Sequence, residues 1–304
     1  MKKSFYSNGK LLITSEYVVL DGAIALALPT KFGQSLHIEE GADDLFHWKS
    51  YDADQSVWFE ATIPFSSIIK KERFGGEENI KNRLIEILHE AYKINSNFIT
   101  NSKGYKVITE LTFPKNWGLG TSSTLINNLA HWLKIDAFEL LKNSFGGSGY
   151  DIACAQNNTG ILYQIIEDKP KIKTTEFNPD FSENIYFVYL NVKQNSRDAI
   201  ANYFNNRGSI AKELPFFDAI TEGVLQSSTV EEFSKLLEKH EILLSEILEQ
   251  STVKELHFQD FNGTIKSLGA WGGDFVMAVS KVNPAAYFKS KGFDTILTYQ
   301  EMIL

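Results

Sequence analysis

The stretch that decides the fold is Pro114-Lys115-Asn116-Trp117-Gly118-Leu119-Gly120-Thr121-Ser122-Ser123, and an amphipathic segment follows it at once. In that segment apolar residues recur at the spacing of one helix face, as Leu125, Leu129, Trp132 and Leu133. A loop rich in glycine and hydroxyl groups therefore leads into a helix N-terminus. Free backbone N–H groups and the helix dipole favour anions at such a place. An ordinary glycine turn with hydroxyl N-caps has the same pattern, so both interpretations stay open at this point.

Composition limits what the chain can be. Its 304 residues are 43% hydrophobic, which is enough for one large domain or two closely packed ones. Proteins that bind duplex nucleic acid normally present a basic surface, whereas this chain has a net charge of −8, so no nucleic-acid partner is expected. The single cysteine, Cys154, excludes an internal disulfide and fits a reducing cytoplasm. No signal-like or membrane-length apolar run occurs, so we expect a cytoplasmic protein without a membrane partner.

Hydrophobic patterning predicts mixed strands and helices without strict alternation, which favours an α+β fold. We expect strands within 45–63 and at 105–113, 161–166, 185–190, 275–279 and 295–299. We expect helices at 80–92, 197–206, 215–226 and 231–249. Asp21-Gly22 between two apolar runs is a hairpin signal. The polar stretch from Lys169 to Glu183, which contains two prolines, marks the boundary between two domains.

Three further clusters can carry chemistry. In Ser7-Asn8-Gly9-Lys10 the lysine is either a solvated charge at a strand edge or a ligand of a carboxylate or phosphate. In Gly146-Gly147-Ser148-Gly149-Tyr150-Asp151 the aspartate is either an N-cap or a general base or Mg²⁺ ligand. Residues 266–274 form either a hairpin turn or a second loop whose backbone approaches a ligand closely. The P-loop, dinucleotide, protein kinase and zinc protease motifs are all missing or broken.

In order along the chain, these clusters resemble the three motifs of the GHMP kinase superfamily, and the resemblance spans nearly the whole chain. Residues 8–22 are similar to the first motif, a P-G-K-L segment that ends in G-E-[HY]-x-V-x-x-G. Residues 114–124 are similar to the second, P-x-x-x-G-L-G-S-S-A, and residues 266–274 to the third, K-x-S-G-A-G-G-G-D. Glu16-Tyr17, Gly272-Gly273-Asp274 and the run from Ser148 to Ala153 are similar to the phosphomevalonate kinases of this superfamily.

The resemblance implies a fold and a reaction. The fold is a two-domain α+β GHMP kinase fold. Residues 1–175 would form a nucleotide-binding domain like ribosomal protein S5 domain 2, and residues 176–304 a ferredoxin-like C-terminal domain. The reaction is transfer of the γ-phosphoryl group of ATP, with Mg²⁺, to a small anionic acceptor, phosphomevalonate or mevalonate. The protein would be a monomer or a homodimer.

The resemblance also implies roles for individual residues. Lys10 and Asp151 would be catalytic: Asp151 takes the acceptor proton or orients an anionic acceptor, and Lys10 lies beside it, holds it ionised and neutralises the transferring charge. Ser122 and Ser123 would help to hold Mg²⁺. The nucleotide would bind the loop residues Pro114, Gly118, Leu119, Gly120, Thr121, Ser122 and Ser123. The acceptor would contact Glu16, Tyr17, Ser148, Lys193, Ser196, Arg197, Gly269, Trp271, Gly272 and Gly273.

The chain departs from the family pattern at several positions. Trp271 replaces a glycine of the third motif, and Asn8 and Ser15 replace the proline and glycine of the first. The indole of Trp271 either obstructs the site or forms one wall of the acceptor pocket. The alternative to an enzyme is a catalytically degenerate GHMP-fold protein that binds a nucleotide or metabolite and regulates a partner.

Overall fold

The computed structural model describes residues 2–76, 79–193 and 196–304, with only the backbone of Ser196 and Arg197. The chain folds into two compact units. Unit 1 consists of Met1–Gly9, Phe32–Lys115 and Leu119–Gln156, and unit 2 of Lys10–Lys31, Asn116–Gly118 and Asn157–Leu304. Among the described residues, no helix is both long and apolar enough to cross a membrane. The expected division after residue 175 stays a prediction.

In the part that the structure describes, unit 1 combines strands with six helices. Its strands are β3 (Leu45–Tyr51), β4 (Val57–Pro64), β5 (Tyr105–Leu111) and parts of β1 (Lys3–Leu12) and β2 (Ala25–Glu40). Strand β3 pairs antiparallel with β4 and parallel with β5, and β5 pairs antiparallel with the second part of β2. The helices are α1 (Phe65–Ile69), α2 (Ile80–Ile94), α3 (Asn97–Thr100), α4 (Thr121–Leu133), α5 (Ala137–Ser144) and α6 (Tyr150–Gln156).

The core of unit 1 forms because strand alternation and helix periodicity bury matching apolar faces. Phe46 and Trp48 on β3 alternate with more exposed neighbours and pack with the buried faces of α2 and α4. The rings of Phe46, Tyr105 and Trp132 contact one another with centroids 4.9–6.3 Å apart. The helix that follows the glycine loop is therefore fixed on the sheet by its own apolar face.

Unit 2 holds the remaining strands in two groups. The first part of β2 pairs with β6 (Gly160–Ile166), which forms a hairpin with β7 (Lys169–Thr175). A separate antiparallel sheet has the order β11-β8-β10-β9, from β11 (Ile296–Thr298), β8 (Ile185–Tyr189), β10 (Phe275–Val279) and β9 (Thr264–Leu268). The helices are α7 (Ser196–Asn206), α8 (Leu214–Gln226), α9 (Val230–Leu248), α10 (Val253–His257), α11 (Ala285–Ser290) and α12 (Tyr299–Met302).

The α+β class is confirmed, together with the four expected helices and the strands expected from 45 onward. One local expectation is wrong. Val18–Asp21 is a 3₁₀ helix that ends at Gly22 in the left-handed conformation, where we expected a hairpin turn. The polar stretch expected as a domain boundary begins with strand β7, whose residues are almost all exposed because it lies at the edge of the sheet beside β6. The boundary itself stays a prediction.

Candidate functional site

The first part of the glycine loop is fixed on the sheet of unit 2. The Tyr189 hydroxyl on β8 donates to the Asn116 carbonyl at 3.1 Å. The Trp117 ring packs edge-on against Phe275 on β10, with centroids 5.4 Å apart. Burial, and secondarily the charge of Asp274, raises the pKa of Tyr189, so its hydroxyl stays a donor at neutral pH. The loop therefore has a defined position rather than that of a free surface turn.

Two charged side chains lie against Gly118. The Lys10 ammonium donates to the Gly118 carbonyl at 2.9 Å. Gly118 has φ +69°, and a Cβ placed on it would lie under 3.0 Å from the Asp274 carboxylate. Only glycine fits this position without displacing Asp274. Residues of all three sequence motifs, Lys10, Gly118 and Asp274, thus come together within unit 2.

The segment after β8 runs beside Asp274. The Asp274 amide donates to the Val192 carbonyl at 2.7 Å, and the Leu190 amide donates to the Asp274 carbonyl at 2.8 Å. Lys193, exposed, is the next residue along the chain. The backbone of Ser196 and Arg197 begins α7, but their side chains lie outside the described residues.

The second part of the loop begins α4 in unit 1. Gly120 precedes the helix with φ +102°, and Leu119 before it is fully buried. Thr121 and Ser122 are half-buried, Pro114 is exposed, and the buried Ser123 hydroxyl donates to the Gly120 carbonyl at 2.9 Å. The first N–H groups of a helix have no partner within the helix. This segment therefore presents the start of a helix where the sequence predicts an anion site, and the site itself stays a prediction.

Asp151 lies in the first turn of α6 and is half-buried. It is the second residue of the helix rather than its N-cap, and its Oδ1 accepts from the Ile152 amide at 3.0 Å. Ser148 is half-buried in the glycine-rich segment before the helix. The expected pairing of Lys10 with Asp151 stays a prediction.

The turn after β1 and the β9–β10 loop are linked by Tyr17, whose hydroxyl accepts from the Trp271 amide at 2.7 Å. Ser15 has φ +64° and Tyr17 φ +63°, so Ser15 occupies a left-handed position that glycine adopts without strain. Gly269 and Gly272 are also left-handed, at φ +75° and +81°. Of residues 266–274, the first three belong to β9 and the rest connect it to its antiparallel partner β10, as the hairpin interpretation expects. The binding role of this loop stays a prediction.

The Trp271 side chain is 8% exposed and belongs to an apolar cluster with Tyr17, Tyr203 and Phe217. Its indole N–H donates to the Ser251 carbonyl at 3.1 Å. The indole is therefore accommodated by a core packed around it.

A buried group of charges lies beside this turn, and the sequence analysis missed it. Lys266 Nζ contacts Glu16 Oε1 at 2.6 Å and Glu241 Oε1 at 3.2 Å, and all three side chains are at most 4% exposed. The Ser15 amide donates to His240 Nε2 at 2.7 Å. A signal was available: Leu237, His240, Glu241, Leu244 and Leu248 share one face of α9, which places two polar residues on the buried side.

Burial dominates the protonation of this group. It raises the pKa of Glu16 to about 7, although Lys266 opposes the shift, and it raises that of Glu241 as well. It lowers the pKa of His240 well below the ordinary value, and the charge of Lys266 adds to this. His240 is consequently neutral, which agrees with its Nε2 accepting a hydrogen bond.

The described residues contain no cluster of three or more His, Cys, Asp or Glu that could hold a metal by themselves. Mg²⁺ in kinases is commonly bound by one or two protein groups and the substrate phosphates. The hydroxyls of Ser122 and Ser123 at the start of α4 fit that mode, since Ser123 uses its proton toward Gly120 and keeps oxygen lone pairs.

No protein-family model and no curated protein matches the sequence. Solved structures match over almost the whole chain. A Lin0012 protein from Listeria innocua matches with a TM-score of 0.70 and 16% identity, covering 98% of this chain and 97% of that one. Methanococcus jannaschii mevalonate kinase matches with a TM-score of 0.69 and 15% identity, with coverages of 98% and 97%. Streptococcus pneumoniae phosphomevalonate kinase, in complex with phosphomevalonate and AMPPNP, matches with a TM-score of 0.67 and 16% identity, with coverages of 97% and 99%.

At these identities the similarity establishes the fold. The chain has the GHMP kinase fold, as the resemblance of its three motifs predicts.

Proposed function

We propose that this protein is an ATP-dependent small-molecule kinase that phosphorylates an anionic acceptor. Phosphomevalonate is the first candidate and mevalonate the second. The observation that carries the proposal is the bond from the Lys10 ammonium to the Gly118 carbonyl. It places a cation on the loop that leads into the N-terminus of α4, in a chain with the fold of known kinases.

The chemistry follows from what phosphoryl transfer needs, which is positioning and electrostatic stabilisation more than covalent help from the protein. In this proposal the N–H groups of the loop and of the first turn of α4 bind the ATP phosphates. Lys10 neutralises charge on the transferring phosphoryl group. Asp151 accepts the proton of a hydroxyl acceptor, or orients an acceptor that is already an anion.

Mg²⁺ held by Ser122 or Ser123 together with the nucleotide phosphates would neutralise phosphate charge. Lys193 and Arg197, with Ser196, would bind the anionic part of the acceptor. Ser148, Glu16, Tyr17, Gly269, Trp271, Gly272 and Gly273 complete the proposed acceptor-binding set. The location in the cytoplasm and the choice between monomer and homodimer belong to the same proposal.

The alternative is a degenerate, regulatory GHMP-fold protein, which a Trp271 indole that obstructs the site would favour. The burial of this indole among Tyr17, Tyr203 and Phe217 weakens the case for obstruction, because the ring is packed in an apolar core. The retention of Lys10 and Asp151 together supports the enzyme.

The test incubates the purified protein with γ-labelled ATP, Mg²⁺ and a panel of phosphomevalonate, mevalonate and galactose, the last as an uncharged control. Label transfer is followed by mass spectrometry and ADP release by a coupled assay. We expect transfer to phosphomevalonate or mevalonate and little to galactose. A folded protein that binds ATP and labels none of these acceptors would overturn the mevalonate assignment and favour the regulatory alternative.

A further inference from the structure

The buried charges of Glu16, Glu241 and Lys266, beside the first motif, form one cluster. Lys266 on β9 is fully buried and donates to Glu16 Oε1 and to the Ser267 carbonyl, both at 2.6 Å. Glu241 on α9 lies 3.2 Å from the same ammonium, and its Oε2 accepts from the Ser267 hydroxyl at 3.0 Å. The turn after β1, helix α9 and strand β9 therefore meet at one ammonium group.

The cluster also fixes the backbone of the turn after β1. His240 Nε2 accepts from the Ser15 amide, and Lys266 holds the side chain of the next residue, Glu16. The turn they hold is strained, since Ser15 and Tyr17 both have a positive φ, +64° and +63°, without being glycine. Such conformations persist only where surrounding contacts determine them.

The Ser15–Tyr17 turn contacts the β9–β10 loop through Tyr17. Tyr17 stacks on Tyr203 with centroids 5.6 Å apart, and its hydroxyl accepts from the Trp271 amide. Lys266 itself lies three residues before Gly269, at the other end of the same loop. The β9–β10 loop is thus tied to the Ser15–Tyr17 turn at two places: Lys266, on the strand before the loop, contacts Glu16, and Trp271, within the loop, contacts Tyr17.

We propose that Lys266 is a positioning residue, which by holding Glu16 fixes the Ser15–Tyr17 turn and, through Tyr17, the backbone of residues 269–273 for the acceptor. This inference rests on the proposed function, which assigns that turn and loop to the acceptor. Lys266 has no direct part in the chemistry. Its removal should impair acceptor binding and leave ATP binding largely intact.

The charge balance allows a matched comparison. Lys266→Met alone would bury two carboxylates without a cation, and the protein could fail to fold for that reason. Glu241→Gln leaves one ammonium and one carboxylate, so the Lys266–Glu16 bond stays and this variant is the reference. Lys266→Met/Glu241→Gln leaves only the Glu16 carboxyl group, whose pKa burial raises, and it retains every residue assigned to the acceptor. Lys281→Met controls for the loss of a lysine. Lys281 is exposed and pairs with Glu231, which lies on α9 as Glu241 does.

The kinetic arm measures KM for phosphomevalonate or mevalonate, kcat, and ATP affinity by calorimetry. Relative to Glu241→Gln, we expect the double variant to raise the acceptor KM by about tenfold or more, as a misplaced binding loop does. We expect ATP affinity to change less than about twofold, and Lys281→Met to match the wild type. An unchanged acceptor KM in a folded double variant would overturn the proposal, as would equal losses for both substrates.

A second readout does not require turnover. Hydrogen exchange should report faster exchange at the Ser15 and Trp271 amides in the double variant than in Glu241→Gln. Unchanged protection of both amides contradicts the positioning role. If the wild type labels no acceptor, the proposed function fails, while the exchange comparison still decides whether Lys266 fixes the turn and loop.

Discussion

Gly118 is the residue at which the three motifs meet in unit 2. Its carbonyl accepts from Lys10, and its α-carbon faces the Asp274 carboxylate so closely that a side chain has no room. The family resemblance predicts the glycine, but it does not give this reason for it. Asp274 therefore belongs to the candidate site, although the sequence analysis did not assign it a role.

Gly118→Ala should weaken ATP binding by at least about tenfold and destabilise the fold by roughly 1–3 kcal/mol, because the new methyl group displaces Asp274 and the left-handed φ is strained. Calorimetry with ATP and thermal unfolding measure the two effects. Gly292→Ala is the matched control, since Gly292 has φ +87° with nothing within 4 Å of an added Cβ. Equal effects of the two substitutions would show that backbone strain alone is responsible.

Glu16 gives the stability of the protein a specific pH dependence. Its pKa is raised from 4.5 to about 7 in the folded state, so between these values the folded protein keeps a proton that the unfolded chain has lost. The stabilisation is fully present below about pH 4.5 and is lost as pH rises toward and through 7. At 1.36 kcal/mol per pKa unit, this amounts to roughly 3 kcal/mol. Glu241 contributes in the same direction, and His240, whose pKa is lowered, contributes stability that is lost as pH falls below about 6.5.

Glu16→Gln isolates the contribution of Glu16 to the pH dependence of stability. The free energy of unfolding of the variant, minus that of the wild type, should rise by roughly 3 kcal/mol between pH 5 and pH 8. Urea unfolding at several pH values measures this difference. Glu60→Gln, which removes an exposed carboxylate paired with Lys49, controls for the loss of a charge. A difference that is flat with pH would show that Glu16 is ionised in the folded protein throughout this range.

At the scale of elements, the β9–β10 loop is fixed by its tryptophan as well as by its glycines. Trp271→Gly should destabilise the protein by roughly 3–5 kcal/mol, because it empties a buried apolar site. It should also raise the acceptor KM and leave ATP affinity nearly unchanged, measured by steady-state kinetics at a temperature where the variant is folded. Trp271→Phe keeps a ring in the cluster and should lose only about 1 kcal/mol, for the indole hydrogen bond. A gain in turnover with an unchanged acceptor KM would mean that the indole obstructs the site.

The elements that the sequence predicted well are those with a strong period. Helices α2, α4 and α9 each present one apolar face, and β5 alternates, so their patterns determine them. Strand β9 was missed because all five of its residues, Lys266 among them, are buried and show no alternation. Strand β7 was missed for the opposite reason, since its lysines are exposed along an edge and carry no hydrophobic signal.

At the scale of the whole molecule, three short motifs in order predicted the fold, although no single motif was specific. The motifs could not predict the buried charges, because Glu16 and Lys266 are 250 residues apart and nothing local to either marks the other. The same limit applies to Asp274 against Gly118. Local signals predict elements, whereas contacts between distant segments need the folded chain.

The central claim is phosphoryl transfer that depends on Lys10 and Asp151, and the most direct measurement is kcat for the wild type, Asp151→Asn, Lys10→Met and the double variant. The acceptor is whichever member of the panel is labelled best. We predict that Asp151→Asn, which keeps the shape and removes the charge, lowers kcat by roughly 10²–10⁴. The double variant should lose far less than the product of the two single losses, because in the proposed mechanism the two residues act together. Full activity of Asp151→Asn, or a double loss equal to that product, would contradict the claim.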